Sequence, residues 1–302
     1  MVTGPVMTHP IGNAPTSWGI EQDVEPVHDA SLFLDQVAEA GYQGTELGPY
    51  GYLPTEPTVL RAELDRRGLR LTAGYVMDSF HDPGRTEALV KKAERVCRLL
   101  NDVDAARLVL IGGLAPERAA TAGRSAVAAR LTDSQFETSL RTIAAIGEIA
   151  SAHDIVPGIH HHAGTYVEFR DEVDRFLEAL ASTPVGLVVD TGHCAYAGMD
   201  PAELILAYAG RITCVHLKDL DSRIRERALG QGLSFWEAYS AGIFCVLGRG
   251  TVDFVAVRES LASTGYAGWL TVEQDADPRG ASDPLTDARR SLAYLRTIGL
   301  AS

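Results

Sequence analysis

Short apolar runs alternate with helix-forming stretches along almost the whole chain, and this alternation limits the possible folds more than any other feature. Clear examples of the runs are RLVLIG at 107–112, VGLVVD at 185–190 and ITCVHL at 212–217. Stretches whose apolar residues recur at helical spacing lie between such runs. Continuous apolar strands that alternate with helices are typical of a parallel sheet that is covered on both faces.

Eight strand–helix units can be counted in the 302 residues. Eight units in a chain of this length predict an α/β fold of the (β/α)8 TIM barrel type, in a single domain. A doubly wound sheet is the alternative, but no GxGxxG motif follows the first strand. The predicted strands are 11–18, 44–48, 69–77, 107–112, 155–160, 185–190, 212–217 and 269–273.

The predicted barrel occupies residues 11–302, and residues 1–10 are expected to form a short N-terminal arm. Two stretches interrupt the alternation and are predicted to be insertions, near 114–131 and near 221–243. Asp133 is the expected N-cap of a long helix, and Asp200, which precedes a proline, is the expected N-cap of a shorter one.

Charge and composition argue against several classes of protein. The chain has 27 Lys and Arg against 40 Asp and Glu, a net charge of −13, which disfavours a nucleic-acid partner. It has no run of 18 apolar residues and no leader-like N-terminus, so neither a membrane span nor a signal peptide is predicted. Its four cysteines are scattered without CxxC spacing, which favours free buried thiols in the cytoplasm.

Side chains of metal-binding type stand at the ends of four consecutive predicted strands, the fifth to the eighth. The carboxyl ends of barrel strands share one rim, and active sites lie there. The groups are His160, His162 and Glu168 from the fifth strand, Asp190 and His193 from the sixth, His216 and Lys218 from the seventh, and Glu273 from the eighth.

A ring of one or two histidines and two or three carboxylates is a mixed nitrogen and oxygen site for one divalent metal ion. Mn²⁺ or Co²⁺ suits it best, and Zn²⁺, Fe²⁺ or Mg²⁺ are alternatives. Asp190, His216 and Glu273 are predicted ligands because each ends a very apolar strand. The fourth ligand must come from strand five, where Glu168 and the histidines at 160 and 162 are all candidates.

Further residues near the rim are predicted to contact the substrate, although each could instead be a packed, capping or surface residue. The candidates are Glu46 after the second strand, Trp18 and Asn13 in the first, His160, and Arg249 in a GRG turn. A lone GxG is weak evidence for a phosphate loop. Phe235 and Trp236 in the second insertion are expected to form a lid or an oligomer contact.

The strings IGNAPTSWG, HHHAGTYVE, VVDTGHCAYAGMDP, ITCVHLKDL and GYAGWLTVEQD occur in this order. Together they resemble the xylose-isomerase-like barrel superfamily over about residues 11–298, and within it the inosose dehydratases and related sugar isomerases and epimerases. The resemblance implies one divalent metal held by Glu168, Asp190, His216 and Glu273. The pattern differs at strand five, where histidines stand in the place of the usual glutamate.

The activity that the resemblance implies is the dehydration of a keto-polyol, such as an inosose, through a metal-stabilised enediolate. The metal would polarise the ketone, and a carboxylate or histidine at the rim would remove the adjacent proton. His193, His162 or Lys218 would then protonate the departing hydroxyl, with Glu273 also predicted to act in catalysis. Reprotonation without loss of the hydroxyl would make the same site an isomerase or epimerase.

Two other classes of function are weighed against these. Endonuclease IV shares the superfamily, but its three metals need a second group of histidines and acids, and none follows strand seven in the sequence. An inert binding module would hold a metal without exchanging any sugar proton. The expected partner is a small keto-polyol or sugar, and an acidic barrel with an aromatic insertion is also compatible with a homo-oligomer.

Overall fold

The structure is a computed structural model that describes residues 8–22, 24–26, 28–275 and 283–302. Nine parallel strands form one sheet in the order β3-β2-β1-β11-β8-β7-β6-β5-β4, and β9 and β10 form a separate antiparallel pair. The strands are β1 (Ile11–Asn13), β2 (Gly44–Thr45), β3 (Arg70–Leu71), β4 (Gly74–Asp78), β5 (Arg107–Gly112), β6 (Val156–His160), β7 (Gly186–Asp190), β8 (Ile212–Leu217), β9 (Asp219–Leu220), β10 (Phe244–Cys245) and β11 (Leu270–Val272).

The two ends of this strand order belong to one stretch of chain. Only Thr72 and Ala73 separate β3 from β4, so the predicted third strand is present in two pieces. The first piece pairs with β2 and the second pairs with β5. The sheet therefore curls back on itself, and the prediction of a single-domain α/β barrel is confirmed.

Helices follow most strands and cover the outer face of the sheet. Asp200 caps the helix α8 (Pro201–Ala207) as predicted, but the N-cap of the helix α5 (Asp133–Ala152) is Thr132 and not Asp133. The Thr132 hydroxyl accepts from the amide of Gln135, whose side chain reaches back to the Thr132 amide, and this reciprocal pair fixes the start one residue earlier. The helices are α1 (Ala30–Ala40), α2 (Pro57–Asp65), α3 (Thr86–Asp102), α4 (Pro116–Ala119), α5 (Asp133–Ala152), α6 (Arg170–Ala179), α7 (Thr191–Ala197), α8 (Pro201–Ala207), α9 (Ser222–Gln231), α10 (Phe235–Ser240), α11 (Phe254–Thr264) and α12 (Pro284–Thr297).

A small apolar plug fills the inside of the barrel. It consists of Ala73, Val109, Val188 and Cys214, all of which are buried. Inward-facing side chains that pack in this way make a barrel interior solid rather than porous. The space open to a ligand is therefore confined to one end of the barrel.

Both predicted insertions contain helices, α4 in the first and α9 with α10 in the second. The predicted N-terminal arm lies mostly outside the described residues, but His9 pairs with Ala301 at the other end of the chain. Among the described residues, none of the helices has the length and apolar character that crossing a membrane requires. The four cysteines are free thiols, and Cys97, Cys194 and Cys214 are buried.

Candidate active site

A cleft of about 260 Å³ opens where the strands end, and two kinds of wall enclose it. The first, which we call the charged wall, comes from β6, β8 and the segments that follow β6, β8 and β11. The second, the apolar wall, comes from β4, β5 and the two insertions. The charged wall consists of His160, His162, His216, Lys218, Glu273 and Asp275, and the apolar wall of Tyr75, Met77, Val109, Ile111, Leu114, Phe235 and Trp236.

Four side chains from neighbouring strands converge beside the charged wall. His160, Asp190, His216 and Glu273 each offer one ligand atom, and these atoms all lie within 4.8 Å of one another. Asp190 Oδ2 is 3.6 Å from His160 Nε2 and 3.9 Å from His216 Nδ1. Asp190 Oδ2 and His216 Nδ1 are buried and have no hydrogen-bond partner among the residues that the structure describes. Two imidazole nitrogens and two carboxylate oxygens fit a divalent metal ion, so we call this set the four-residue group.

Asp190 owes its orientation to a helix that the sequence did not predict. It is the last residue of β7 and also the N-cap of α7, where its Oδ1 accepts from the amide of His193 at 2.8 Å. Helix N-caps favour a side-chain oxygen of this kind because the first amides of a helix lack partners. The cap holds one oxygen of Asp190 and leaves the other oxygen directed at the four-residue group.

His216 lies between two carboxylates. Its Nδ1 is 3.3 Å from Glu273 Oε2, and its Nε2 is 3.0 Å from Glu46 Oε1. Burial opposes a charge on this ring, but Glu46 and Glu273 outweigh burial and raise the pKa of His216 well above its usual value. A metal ion on Nδ1 would replace the proton there, because a ligating imidazole is neutral. Glu46 would then orient the ligand from behind.

Glu273 is held from two sides. Its Oε1 accepts at 3.2 Å from the hydroxyl of Thr16, in the short helical turn after β1, and its Oε2 lies 3.0 Å from Nζ of Lys218. Burial opposes ionisation of Glu273, but the charges of Lys218 and His216 outweigh it and hold the pKa of this carboxyl well below its usual value. Glu273 is therefore a carboxylate, as a metal ligand must be.

A second group of titratable side chains adjoins the first. His162, His193 and Asp275 also offer ligand atoms within 4.8 Å of one another. Nζ of Lys218 donates to Asp275 Oδ2 at 2.8 Å and lies 3.1 Å from His193 Nε2. We call His162, His193 and Asp275 the second group. The sequence showed no second group after strand seven, and this group draws instead on three separate segments, of which only Asp275 lies beyond that strand.

His162 is poised as a neutral imidazole. Its Nδ1 is 2.8 Å from the carbonyl oxygen of Ala163, which can only accept, so Nδ1 carries the hydrogen and Nε2 is free of it. Burial, together with the charge on Lys218, lowers the pKa of His162 to about 3. The same two causes keep the pKa of His193 well below its usual value. Both rings are therefore neutral at neutral pH.

Glu168 does not reach the four-residue group, although the resemblance assigned it as a ligand. Its Oε1 accepts from the amide of Gly123 at 2.6 Å, and its Oε2 accepts from the amide of Gly164 at 3.0 Å and from Arg118 at 3.3 Å. Arg118 is fully buried and also makes two hydrogen bonds to Glu172. The chain turns after the strand end, so Glu168 ties the first insertion to the start of α6, and His160 occupies the fourth position.

Three other predicted substrate contacts lie away from the cleft. Trp18 is buried in the core and donates from Nε1 to Gln36 at 2.6 Å. Asn13 is buried in β1, where its backbone carbonyl accepts from the Thr45 hydroxyl. Arg249 is exposed in a turn whose amides at 248 and 250 donate to Asp219. The turn is thus built around a buried carboxylate, and these three residues do not line the cleft.

Two features of the site escaped the sequence reasoning. The first is helix α7, which was not predicted because the glycine in VVDTGHC is unfavourable within a helix. Asp190 followed by a polar residue is nevertheless a signal for a helix N-cap. Asp275 is the other, and alternation along an extended chain could have identified it. Residues 273 and 275 fall on the same side of an extended chain, and both line the cleft.

These features define a class of protein: parallel-barrel enzymes with a buried group of histidines and carboxylates at the carboxyl ends of the strands. The chain belongs to the xylose isomerase-like TIM barrel family, whose model matches residues 34–298. It is 33% identical over 290 residues to inosose dehydratase of Geobacillus kaustophilus, covering 94% of this chain and 93% of the relative. It is 34% identical over 302 residues to rhizopine catabolism protein MocC of Rhizobium meliloti, covering 98% of this chain and 90% of the relative.

Solved structures agree on the fold. The IolI protein, whose crystal structure contains a zinc atom, superposes with a TM-score of 0.73 at 12% identity and covers 96% of this chain and 98% of its own. This likeness concerns the course of the backbone alone, because the sequences have diverged so far. The curated relatives, matched over more than nine-tenths of the chain, identify it as an enzyme of this family.

Proposed function

We propose that the protein is a metal-dependent hydro-lyase that removes water from a keto-polyol of the inosose type. The observation that carries the proposal is the four-residue group, with the Lys218 ammonium 3.0 Å from Glu273, at the edge of a cleft of small-molecule size. The similarity to a relative named inosose dehydratase over 94% of the chain supports the substrate class.

His160, Asp190, His216 and Glu273 would hold the metal ion, with Mn²⁺ or Co²⁺ as the preferred ion. When bound, a divalent ion supplies Lewis acidity that makes the hydrogen beside a ketone easier to remove. Glu46 would keep His216 in its ligating orientation. This assignment replaces Glu168 of the sequence-based set with His160.

His162 and Lys218 would act on the substrate. The neutral His162 ring lines the cleft with an unprotonated Nε2 and is the proposed base. Because its pKa is low, it would depend on the metal ion to acidify the hydrogen beside the carbonyl before it takes that proton and passes it to the departing hydroxyl. Lys218 keeps its charge fixed beside Glu273 and can stabilise negative charge that develops on a substrate oxygen. His193 would contribute indirectly, through its contact with Lys218.

A sugar isomerase or epimerase is the second candidate. Its first step is the same proton removal, and His162 can return the proton to carbon as well as to oxygen. Only the position of the leaving hydroxyl relative to His162 separates the two outcomes. A nuclease is disfavoured, since the net charge is −13 and the position beside the second group holds a lysine.

The test is to incubate the Mn²⁺-loaded and Co²⁺-loaded protein with keto-inositols and keto-sugars in D₂O. A hydro-lyase gives a chromophoric enone or diketone, whereas an epimerase gives deuterated substrate or epimer without a chromophore. We expect Glu273→Gln to abolish both product and deuterium uptake. Uptake that persists unchanged in Glu273→Gln would refute the proposed role of the four-residue group, and no uptake with any substrate would support an inert module.

A further inference from the structure

Lys218 lies between the two groups of potential metal ligands. On one side its Nζ is 3.0 Å from Glu273 and 3.5 Å from Asp190, both in the four-residue group. On the other side Nζ is 2.8 Å from Asp275 and 3.1 Å from His193, both in the second group. Its side chain is only 1% exposed, so this ammonium contacts both groups in a place that bulk water does not reach.

The second group has the composition of a metal site. Two imidazoles and one carboxylate, with their ligand atoms within 4.8 Å of one another, match the three-ligand sets that hold zinc and leave a position open. The Lys218 ammonium already contacts two of these three ligands. A positive charge therefore occupies the position that a second metal ion would take.

Three carboxylates surround the ammonium. Asp275 and Glu273 lie 2.8 Å and 3.0 Å from Nζ, and Asp190 lies 3.5 Å away. Their arrangement holds the ammonium between the two groups. A divalent ion at the second group would face a like charge at close range, which is unfavourable in a buried site.

The residues around Lys218 also fix the course of its aliphatic side chain. A Cβ on residue 192 would lie 2.6 Å from Cγ of Lys218, so the glycine there leaves room for the stem to pass α7. The Thr191 hydroxyl bridges the backbone of the same lysine, with its oxygen 2.7 Å from the Lys218 carbonyl and 2.8 Å from the Lys218 amide. Nζ lies 4.8 Å from the centre of the Phe244 ring.

We propose that this cleft is a two-cation centre in which Lys218 takes the place of a second metal ion, so that removing its ammonium opens a second divalent-metal site formed by His162, His193 and Asp275. The wild-type protein then binds one ion per chain, at the four-residue group. One exchangeable metal and one built-in charge would together stand beside the substrate.

The experiment counts metal ions and does not depend on turnover. The wild-type protein and Lys218→Met are equilibrated with excess Zn²⁺ or Co²⁺, freed of loosely bound ion by gel filtration, and analysed for metal and protein. We expect one ion per chain in the wild type and two in Lys218→Met, whose side chain keeps most of the lysine stem without the charge. Lys218→Arg keeps a cation and should bind one ion.

Two further variants locate the second ion. Adding Asp275→Asn or His193→Gln to Lys218→Met should return the count to one, because each removes a ligand of the second group. Lys91→Met, which removes a lysine that is 64% exposed on α3, should stay at one ion. Circular dichroism checks the fold, and Lys218→Gln replaces the methionine variant if that variant unfolds.

Three results would overturn the proposal. They are two ions in the wild type, one ion in every folded variant that lacks the ammonium, or a second ion that survives loss of Asp275 and of His193. None of these results bears on whether the four-residue group supports dehydration. Conversely, a protein that dehydrates no keto-polyol can still show the change from one ion to two.

Discussion

The charged and apolar walls of the cleft are built on the same sheet, yet they differ completely in side-chain chemistry. His160 on β6 pairs in register with Ile111 on β5, which pairs with Met77 on β4. At this level of the barrel, β6 therefore carries a potential metal ligand, whereas the adjacent strand β5 carries an apolar side chain. The backbone supplies equivalent positions all around the rim, and the side chains alone decide which part performs chemistry.

The two walls should also act on different quantities. The charged wall holds groups that interact with charge as it develops, so its loss should lower the turnover rate. The apolar wall meets the substrate equally before and during the reaction, so its loss should change binding. A substrate hydroxyl pressed against that wall would cost about 1–3 kcal/mol for want of a partner. Hydroxyl-poor edges of the substrate should face it.

The largest expected effect belongs to Asp190. Asp190→Asn should lower kcat/KM by about 10³-fold or more and abolish tight metal binding, because an amide is a poor ligand for a divalent ion. Asparagine is itself a good N-cap, so α7 and the melting temperature should change little. Kinetics, metal analysis and thermal unfolding check this prediction.

Asp200→Asn is the matched control, since it makes the same exchange at the N-cap of α8. It should leave metal content and kcat/KM unchanged. If Asp190→Asn kept its metal and its rate, the charged wall would not be the seat of the chemistry and the contrast between the walls would fail.

Glu46 should have the next largest effect, through His216. Glu46→Gln removes the charge 3.0 Å from His216 Nε2, and outer carboxylates of this kind typically contribute 10–100-fold to metal affinity. We expect a loss of about that size in a titration with a competing chelator. Glu203→Gln, at an exposed position on α8, is the control. Equal affinities in wild type and Glu46→Gln would show that His216 needs no such support.

Metal affinity should also depend on pH, and the sign follows from His216. Its pKa is raised in the metal-free protein, so the ring is protonated at neutral pH and must lose that proton when a metal binds. Affinity should therefore increase as pH rises, by up to about tenfold per pH unit, until the raised pKa is passed. Calorimetry in buffers of different ionisation enthalpy should detect about one released proton. Binding without proton release would contradict this prediction.

The smallest effect is expected at the apolar wall. Leu114→Asn should raise KM by about tenfold or less, equivalent to roughly 1.4 kcal/mol, and leave kcat within about twofold. Val127→Asn in the same insertion is the control, because Val127 is 64% exposed and does not line the cleft. A large fall in kcat for Leu114→Asn would mean that the apolar wall takes part in the reaction, and would blur the distinction between the walls.

The sequence predicted the barrel and much of the charged wall because both depend on strand periodicity. Asp190, His216 and Glu273 end apolar strands, and parallel register brings such ends together without further information. The structure places these three side chains in one group, as the spacing implied. Their roles as ligands await the metal analysis described above.

The fourth member of the four-residue group could not be predicted from strand ends in the same way. The strand β6 ends at His160, and the chain then turns at Gly164, which has a positive φ of 81°. Residues beyond such a turn no longer follow strand alternation, so spacing alone did not exclude Glu168. Strand alternation alone predicts that His160 faces inward. The resemblance to the related family instead assigned a glutamate, Glu168, as the fourth ligand.

For Trp18 and Asn13, the sequence could not show that the side chains lie away from the cleft. Both belong to the first predicted strand, but β1 ends at Asn13 and the chain continues as a short helical turn. A large aromatic near a strand end can point to the cleft or to the core, and the neighbours that decide are distant in sequence. For Trp18 the deciding neighbours are Gln36 and Phe33 on α1.

The buried contact between Arg118, Glu168 and Glu172 has a consequence for how chains of this kind diversify. Without Arg118 the buried Glu168 carboxyl would lack a cation, and without both glutamates the buried Arg118 would lack an anion, a penalty of about 3–5 kcal/mol in either case. The three positions should accordingly be inherited or replaced as a set, and lineages that shorten the first insertion should have exchanged both glutamates for neutral residues.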